Sequence, residues 1–243
     1  MSDCCKTGFN WNGKPTGSES TFANTKTYVA GSNKDRTVLM VHDVFGWTFP
    51  NLRLLADHYA KEANATVYLP DFFDGEVIDP STLEDPEKRK NFDLMAFIGR
   101  HSKEIRYPEI ESFAKELRSK YKKVGAIGFC YGGWAVFKLA AKGNDLLDCV
   151  STAHPSLLEK SEVSNLGVPT QLLIPETDQM FTPELKEFSL KTLPEIGVEF
   201  DYQYFPGLVH GFAAKGDEND KKQKDGLERA KNAAVGWFVQ YLD

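Results

Sequence analysis

The stretch VGAIGFCYGGW, residues 124–134, decides the fold. Its first four residues, VGAI, are apolar with no polar face, as a strand buried on both sides of a parallel sheet requires. Gly128-Phe129-Cys130-Tyr131-Gly132 then has the form G-x-nucleophile-x-G. In such an elbow the nucleophile sits on a strained turn between strand and helix, and side chains two residues to either side would collide with one or the other. The helix beyond supplies backbone N–H groups and a positive dipole end, which stabilise a thiolate or an oxyanion. A lone G-x-C-x-G reads as readily as a small buried cysteine at an ordinary turn. The strand before Cys130 and the helix after it favour the nucleophile.

The same alternation runs outward in both directions. Strands are expected at residues 26–31, 37–46 (ending in a turn), 66–72, 124–129, 147–155, 168–176 and 199–206. After Pro50, Leu52, Leu55, Ala56, Tyr59, Ala60 and Ala63 recur at helical spacing. A charged loop leads into a helix starting near Pro86. Further helices are expected at 107–121, at 134–143 (closed by Gly143), at 183–193 and at 221–242. Strands alternating with helices imply an α/β fold, a mainly parallel sheet covered on both faces with right-handed crossovers. The first 36 residues, rich in Gly, Asn, Thr and Ser, read as an N-terminal loop and edge-strand region. With 243 residues the whole chain, 1–243, is expected to be one domain.

Composition narrows the function. Hydrophobic residues make up 41% and charged residues 26%, an ordinary globular balance. A net charge of -6 argues against nucleic acid or an acidic membrane as partner. No apolar run is long enough for a membrane span, and the N-terminus lacks a secretory or transit pattern. A cytoplasmic protein with free thiols is expected, acting on a small molecule as a monomer or homodimer. The four cysteines, Cys4, Cys5, Cys130 and Cys149, show no metal-ligand spacing, so neither metal nor other cofactor is expected. Cys149 falls in an inner strand and reads as core.

Reactive groups of open α/β sheets gather beyond the carboxyl ends of the strands. Asp178, in IPETDQMF, follows one strand, and His210, in FPGLVHGF, follows the next. Alone, Asp178 reads as a turn or cap residue and His210 as a loop histidine. With Cys130 they give the order nucleophile, acid, histidine. His154 also ends a strand and is the rival base. Asp43, in VHDVFGW, faces the same edge, either as a functional carboxylate or as a turn stabiliser. The N–H of Val44 after it, with that of Tyr131, forms an expected oxyanion hole. Among aromatic residues near the strand ends, Trp47 and Phe72 are the expected pocket-lining pair.

Together, GFCYGGW and the later aspartate and histidine resemble the dienelactone hydrolase family, the carboxymethylenebutenolidase-like α/β-hydrolases, from about Tyr28 to the end. The resemblance implies an α/β-hydrolase-like sheet without a large lid domain and the hydrolysis of a lactone or small activated ester. It also implies that Asp43 modulates the thiol, although it is one methylene shorter than the glutamate of family members. Where the family uses two arginines for an anionic substrate, this chain offers Arg89 and, next to Ala214, Lys215. Two alternatives stand beside this reading: an acyl thioesterase or acyl transferase with the same triad, and a non-catalytic redox-sensing or binding protein with Cys130 as its reactive thiol.

Overall fold

A computed structural model describes residues 13–243; Cys4 and Cys5 lie outside the described residues. Eight strands form one sheet in the order β1-β2-β4-β3-β5-β6-β7-β8. The strands are β1 (Ser18–Phe22), β2 (Thr25–Ala30), β3 (Arg36–Val41), β4 (Thr66–Pro70), β5 (Lys123–Phe129), β6 (Cys149–Ala153), β7 (Thr170–Thr177) and β8 (Phe200–Val209). From β4 across to β8 every neighbouring pair is parallel. The β1–β2 hairpin continues the sheet antiparallel at the β4 edge. The central strands were legible because helices cover both faces. β5 is buried from Val124 to Phe129 and β6 and β4 throughout, so no alternation survives in their sequences. β1 is exposed nearly throughout and carries no such signal.

The helices are α1 (Pro50–Glu62), α2 (Pro80–Glu84), α3 (Pro86–Asn91), α4 (Leu94–Arg100), α5 (Lys103–Lys120), α6 (Gly132–Leu139), α7 (Lys160–Ser164), α8 (Pro183–Ile196) and α9 (Lys221–Leu242). α1 packs with α9, and α5 with α6. The helix expected near Pro86 is instead three short ones. Asp79, Asp85 and Asp93 each accept backbone N–H bonds at a new N-terminus, so the charged stretch is broken by its own caps. α6 starts at Gly132, inside the elbow, and stops at Leu139; Gly143 lies in the turn beyond, not at the cap. α7 was not expected. Its five residues start where Glu162 accepts from the Glu159 N–H, and Lys103 pairs with both carboxylates.

The β7–β8 ladder sets the register of the site. Pro175 pairs with Phe205, but the next pair is Thr177 with Val209, so β8 advances four residues while β7 advances two. The extra residues make a bulge at Pro206–Gly207, where Gly207 has φ +66° and its N–H donates to the Glu176 carboxylate. β8 therefore runs to Val209, beyond the expected end at 206.

Candidate active site

Two ladder ends define the site. Phe129 pairs with Ala153, so Cys130 and His154 are the first residues past that rung. Thr177 pairs with Val209, so Asp178 and His210 are the first past theirs. Four groups able to do chemistry leave the same sheet edge, although Ala153 is level with Leu173, so the second pair exits four residues further along β7.

Cys130 has φ +48°, a left-handed conformation that costs a non-glycine residue about 1–2 kcal/mol. The surroundings hold it there. Its N–H donates to Ala153 O, and its carbonyl accepts from Gly133 N–H and Ser156 N–H at 3.0 and 2.8 Å. The flanking glycines are required by space: a Cβ on Gly128 would lie 2.2 Å from Gly132 O, and one on Gly132 would lie 2.2 Å from Val41 O. The turn is thus wedged against the end of β3, and the thiol stays partly exposed. Sγ lies 3.6 Å from Ser156 Oγ. Cys149, by contrast, is fully buried in β6, where burial pushes its thiol pKa up.

His210 and Asp178 are paired. Nδ1 of His210 donates to the Asp178 carboxylate, with both oxygens at 2.9 Å, and both side chains are almost wholly buried. Asp178 also serves as the turn residue expected of it, since Oδ1 accepts from the N–H groups of Met180 and Phe181. Burial alone would push the His210 pKa down. The negative charges of Cys130 and Asp178 override it and hold the imidazolium well above the ordinary value of 6.5. Nε2 has no partner in hydrogen-bond geometry among the described residues, although Cys130 is near enough for this charge interaction.

The loop after β3 forms the third wall. His42 is fully buried; Nε2 accepts from Phe72 N–H and Nδ1–H donates to Asp43 O. Burial holds His42 neutral, with its pKa lowered to about 4. Asp43, 3% exposed, accepts from Phe45 N–H at 2.9 Å, which is the turn role weighed for it. Desolvation lifts its pKa to about 6, opposed by the positive charge of Lys215. Lys215 is buried, and its Nζ stands 3.2 Å from the centre of the Phe45 ring. Asn51, at the start of α1, donates to Ala214 O and so ties this histidine loop to the neighbouring helix.

The other expected residues are buried or half-buried. Phe72 was expected to line a pocket; it is fully buried, with its ring against Phe113, and its link to the site is the N–H bond to His42. Trp47 is buried under the Arg53 guanidinium, 4.8 Å from its ring centre, and its carbonyl accepts from Arg53 Nε. Arg89 lies half-buried on α3. Val44, half-buried, sits between Asp43 and the Phe45 ring that Lys215 covers. Ser156 escaped notice in the sequence, where the polar run STAHPS at the end of a buried strand was the signal available. A cavity of about 250 Å³ opens beside His210, lined also by Phe212, Lys215 and Gln223. A wider groove of about 770 Å³ lies between β8 and α9 at Gln171, Trp237 and Tyr241, and Cys130, Asp178 and His210 do not line it. No helix among the described residues is long and apolar enough to cross a membrane.

Comparisons with known proteins agree with this architecture. A sequence model of the dienelactone hydrolase family matches residues 25–242. Hydrolase tropI of Talaromyces stipitatus is 30% identical over 252 residues, covering 98% of this chain and 96% of its own. The carboxymethylenebutenolidase homolog of Homo sapiens is 30% identical over 237 residues, covering 93% and 91%. Among solved structures, a putative dienelactone hydrolase from Klebsiella pneumoniae superposes with a TM-score of 0.70 at 18% identity, over 93% of this chain and 99% of that one, which speaks to the fold. The chain belongs to the dienelactone hydrolase family and is a carboxylic ester hydrolase.

Proposed function

We propose that the protein hydrolyses lactones or small activated esters through a Cys130–His210–Asp178 triad and a thioester intermediate. One observation carries this: the Asp178 carboxylate holds His210 Nδ1 at 2.9 Å through both oxygens, beside a cysteine fixed in a left-handed elbow. Donation from Nδ1–H leaves Nε2 to take the Cys130 proton, and the imidazolium so formed is held by the Asp178 carboxylate and the sulfur it faces. The thiolate attacks the carbonyl carbon; as the C–S bond forms, the carbonyl electron pair moves to oxygen. The N–H groups of Val44 and Tyr131 receive that oxyanion. It collapses, the C–O bond breaks, and the leaving oxygen takes the proton from the imidazolium. Water, deprotonated by His210, then attacks the thioester, and the acid departs as the thiolate is restored.

The other proposed roles follow from placement. Asp43 tunes charge around the thiol through Lys215 and His210, the two cations that act on it. By the family resemblance, Lys215 beside His210 and Arg89 on α3 are the proposed anchors for a negative group on the substrate. Trp47 and Phe72 shape the site by holding Arg53 and His42.

Cysteine as nucleophile restricts the substrate. A thiolate is a better leaving group than an alkoxide, so the tetrahedral intermediate from an alkyl ester reverts to substrate. Enol lactones and aryl esters, whose oxygen leaves as a stabilised anion, go forward. Rapid quenching of an aryl-ester reaction should trap an acyl group on the Cys130 peptide. Equal kcat/KM for alkyl and aryl esters of the same acid, or turnover that survives Cys130→Ala, would refute the reading.

A further inference from the structure

The turn after β6, residues 154–157, is built against the elbow at three points. Ser156 N–H donates to Cys130 O at 2.8 Å. Pro155 closes over Gly133, where a Cβ would stand only 2.4 Å from Pro155 Cβ. Ser156 Oγ faces Cys130 Sγ at 3.6 Å. The turn is costly to form. His154 and Leu157 have φ +39° and +58°, and left-handed non-glycine residues persist only where their surroundings over-determine them. Ser156 is 4% exposed, so water competes little for its hydroxyl. In this arrangement the sulfur is within hydrogen-bond reach of Ser156 Oγ, while His210 Nε2 is close enough to Cys130 to feel it without a partner in hydrogen-bond geometry among the described residues.

A thiolate has no proton to give, so a hydroxyl beside it must donate. We propose that Ser156 is a catalytic residue that donates a hydrogen bond to the Cys130 thiolate, before it attacks and again as it leaves the acyl group. The proposal rests on Cys130 being the nucleophile. It gives the site two separate sets of donors: backbone N–H groups for the oxygen of the intermediate and Ser156 for the sulfur. The sulfur donor stabilises charge on sulfur, so it makes the thiolate easier to form and easier to expel. It makes each thiolate slightly less nucleophilic, because nucleophilicity falls as the thiolate is stabilised. A packing residue would have no such opposed effects.

The test follows alkylation of the Cys130 peptide by iodoacetamide from acid to alkaline pH, in wild type, Ser156→Ala and Ser156→Thr. Loss of a donor to a charged group moves the alkylation profile of Ser156→Ala up by about one pH unit, which is about tenfold slower on the acid side. On the alkaline plateau the variant is as fast as wild type or faster. Ser156→Thr, which keeps the hydroxyl, stays with wild type. If Ser156→Ala does not fold, Ser156→Gly, which also removes the hydroxyl, must show the same upward move. A profile that keeps its midpoint while the rate drops equally at every pH overturns the donor role and leaves only packing. Aryl-ester turnover by Cys130→Ala in parallel separates the two claims. If turnover survives, the nucleophile reading fails; if it is lost but Ser156→Ala keeps the wild-type midpoint, only the Ser156 proposal fails.

Discussion

His154 and His210 invite comparison. Both are the first residue past a parallel ladder, both are buried, and their rings meet edge to face with centroids 5.0 Å apart. Their protonation goes opposite ways. His210 faces Asp178 and Cys130 and is held well above the ordinary value against the pull of burial. His154 is driven well below it, first by burial and then by the positive charges of His210 and Lys215. Neither ring nitrogen of His154 has a hydrogen-bond partner among the described residues; its ring packs against Phe129 and Phe212. Burial alone makes an imidazole a neutral wall. A carboxylate on the adjoining strand end raises its pKa and, in the proposed mechanism, fits it to act as a base.

The largest expected effect tests that difference directly. His210→Ala should lower kcat/KM for an aryl ester by about 10⁴-fold or more, as loss of the base does in triad enzymes. His154→Phe, which keeps an aromatic ring in the wall, should lose less than about tenfold. Both are read against thermal unfolding, so that a collapsed fold is not scored as lost chemistry. An equal loss in a folded His154→Phe would make His154 part of the reaction and break the comparison.

Asp178→Asn should convert one histidine toward the other. It keeps the turn bonds to Met180 and Phe181 within reach of an amide oxygen but removes the charge. The expected loss in kcat is about 10²–10⁴-fold. By NMR titration the His210 ring should protonate at lower pH than in wild type. Cys130 also raises the His210 pKa, so the titration is sharpest in a Cys130→Ala background, where the carboxylate acts alone. An unmoved His210 titration there would mean that Asp178 only orients the ring.

The legibility of these residues in the sequence follows the same physics. β5 and β7 were readable because both faces are covered, so a run such as QLLIP carries little but apolar groups until it leaves the sheet. Cys130, Asp178 and His210 stood out as polar groups able to do chemistry at those exits. The bulge at Gly207 did not, because one φ above zero in FPGLV does not say that the strand resumes and carries His210 back to the edge. Ser156 did not, because its meeting with Cys130 depends on two left-handed residues in a neighbouring loop. Residues 79–100 misled for another reason. Their helices are held by local aspartate caps rather than by an apolar face, so hydrophobic periodicity cannot mark their ends.

The smallest expected effect concerns two neighbours that repeat the contrast on a single loop, His42 and Asp43. Both are buried, and burial favours the neutral form of each. Asp43 has its pKa raised from 3.8 to about 6, so the native state holds a proton that the unfolded chain has released in that window. Its ionisation therefore costs stability in full above about pH 6, and the cost is relieved as pH falls toward 3.8. His42, lowered from 6.5 to about 4, does the reverse: the native state resists protonation, so stability is lost as pH falls through that same range. The two slopes oppose each other, and the wild type should be nearly flat in stability between pH 6 and pH 4 from this pair. Asp43→Asn keeps an acceptor for the Phe45 N–H and removes one slope. At pH 8 it should unfold at higher urea than wild type, by at most about 3 kcal/mol at ~1.4 kcal/mol per pKa unit, less whatever Lys215 loses with its counter-charge. On acidification the gain should vanish, and stability should drop more steeply than in wild type as His42 takes its proton. A variant no more stable than wild type at pH 8 would mean that Lys215 already offsets the burial of the Asp43 carboxylate.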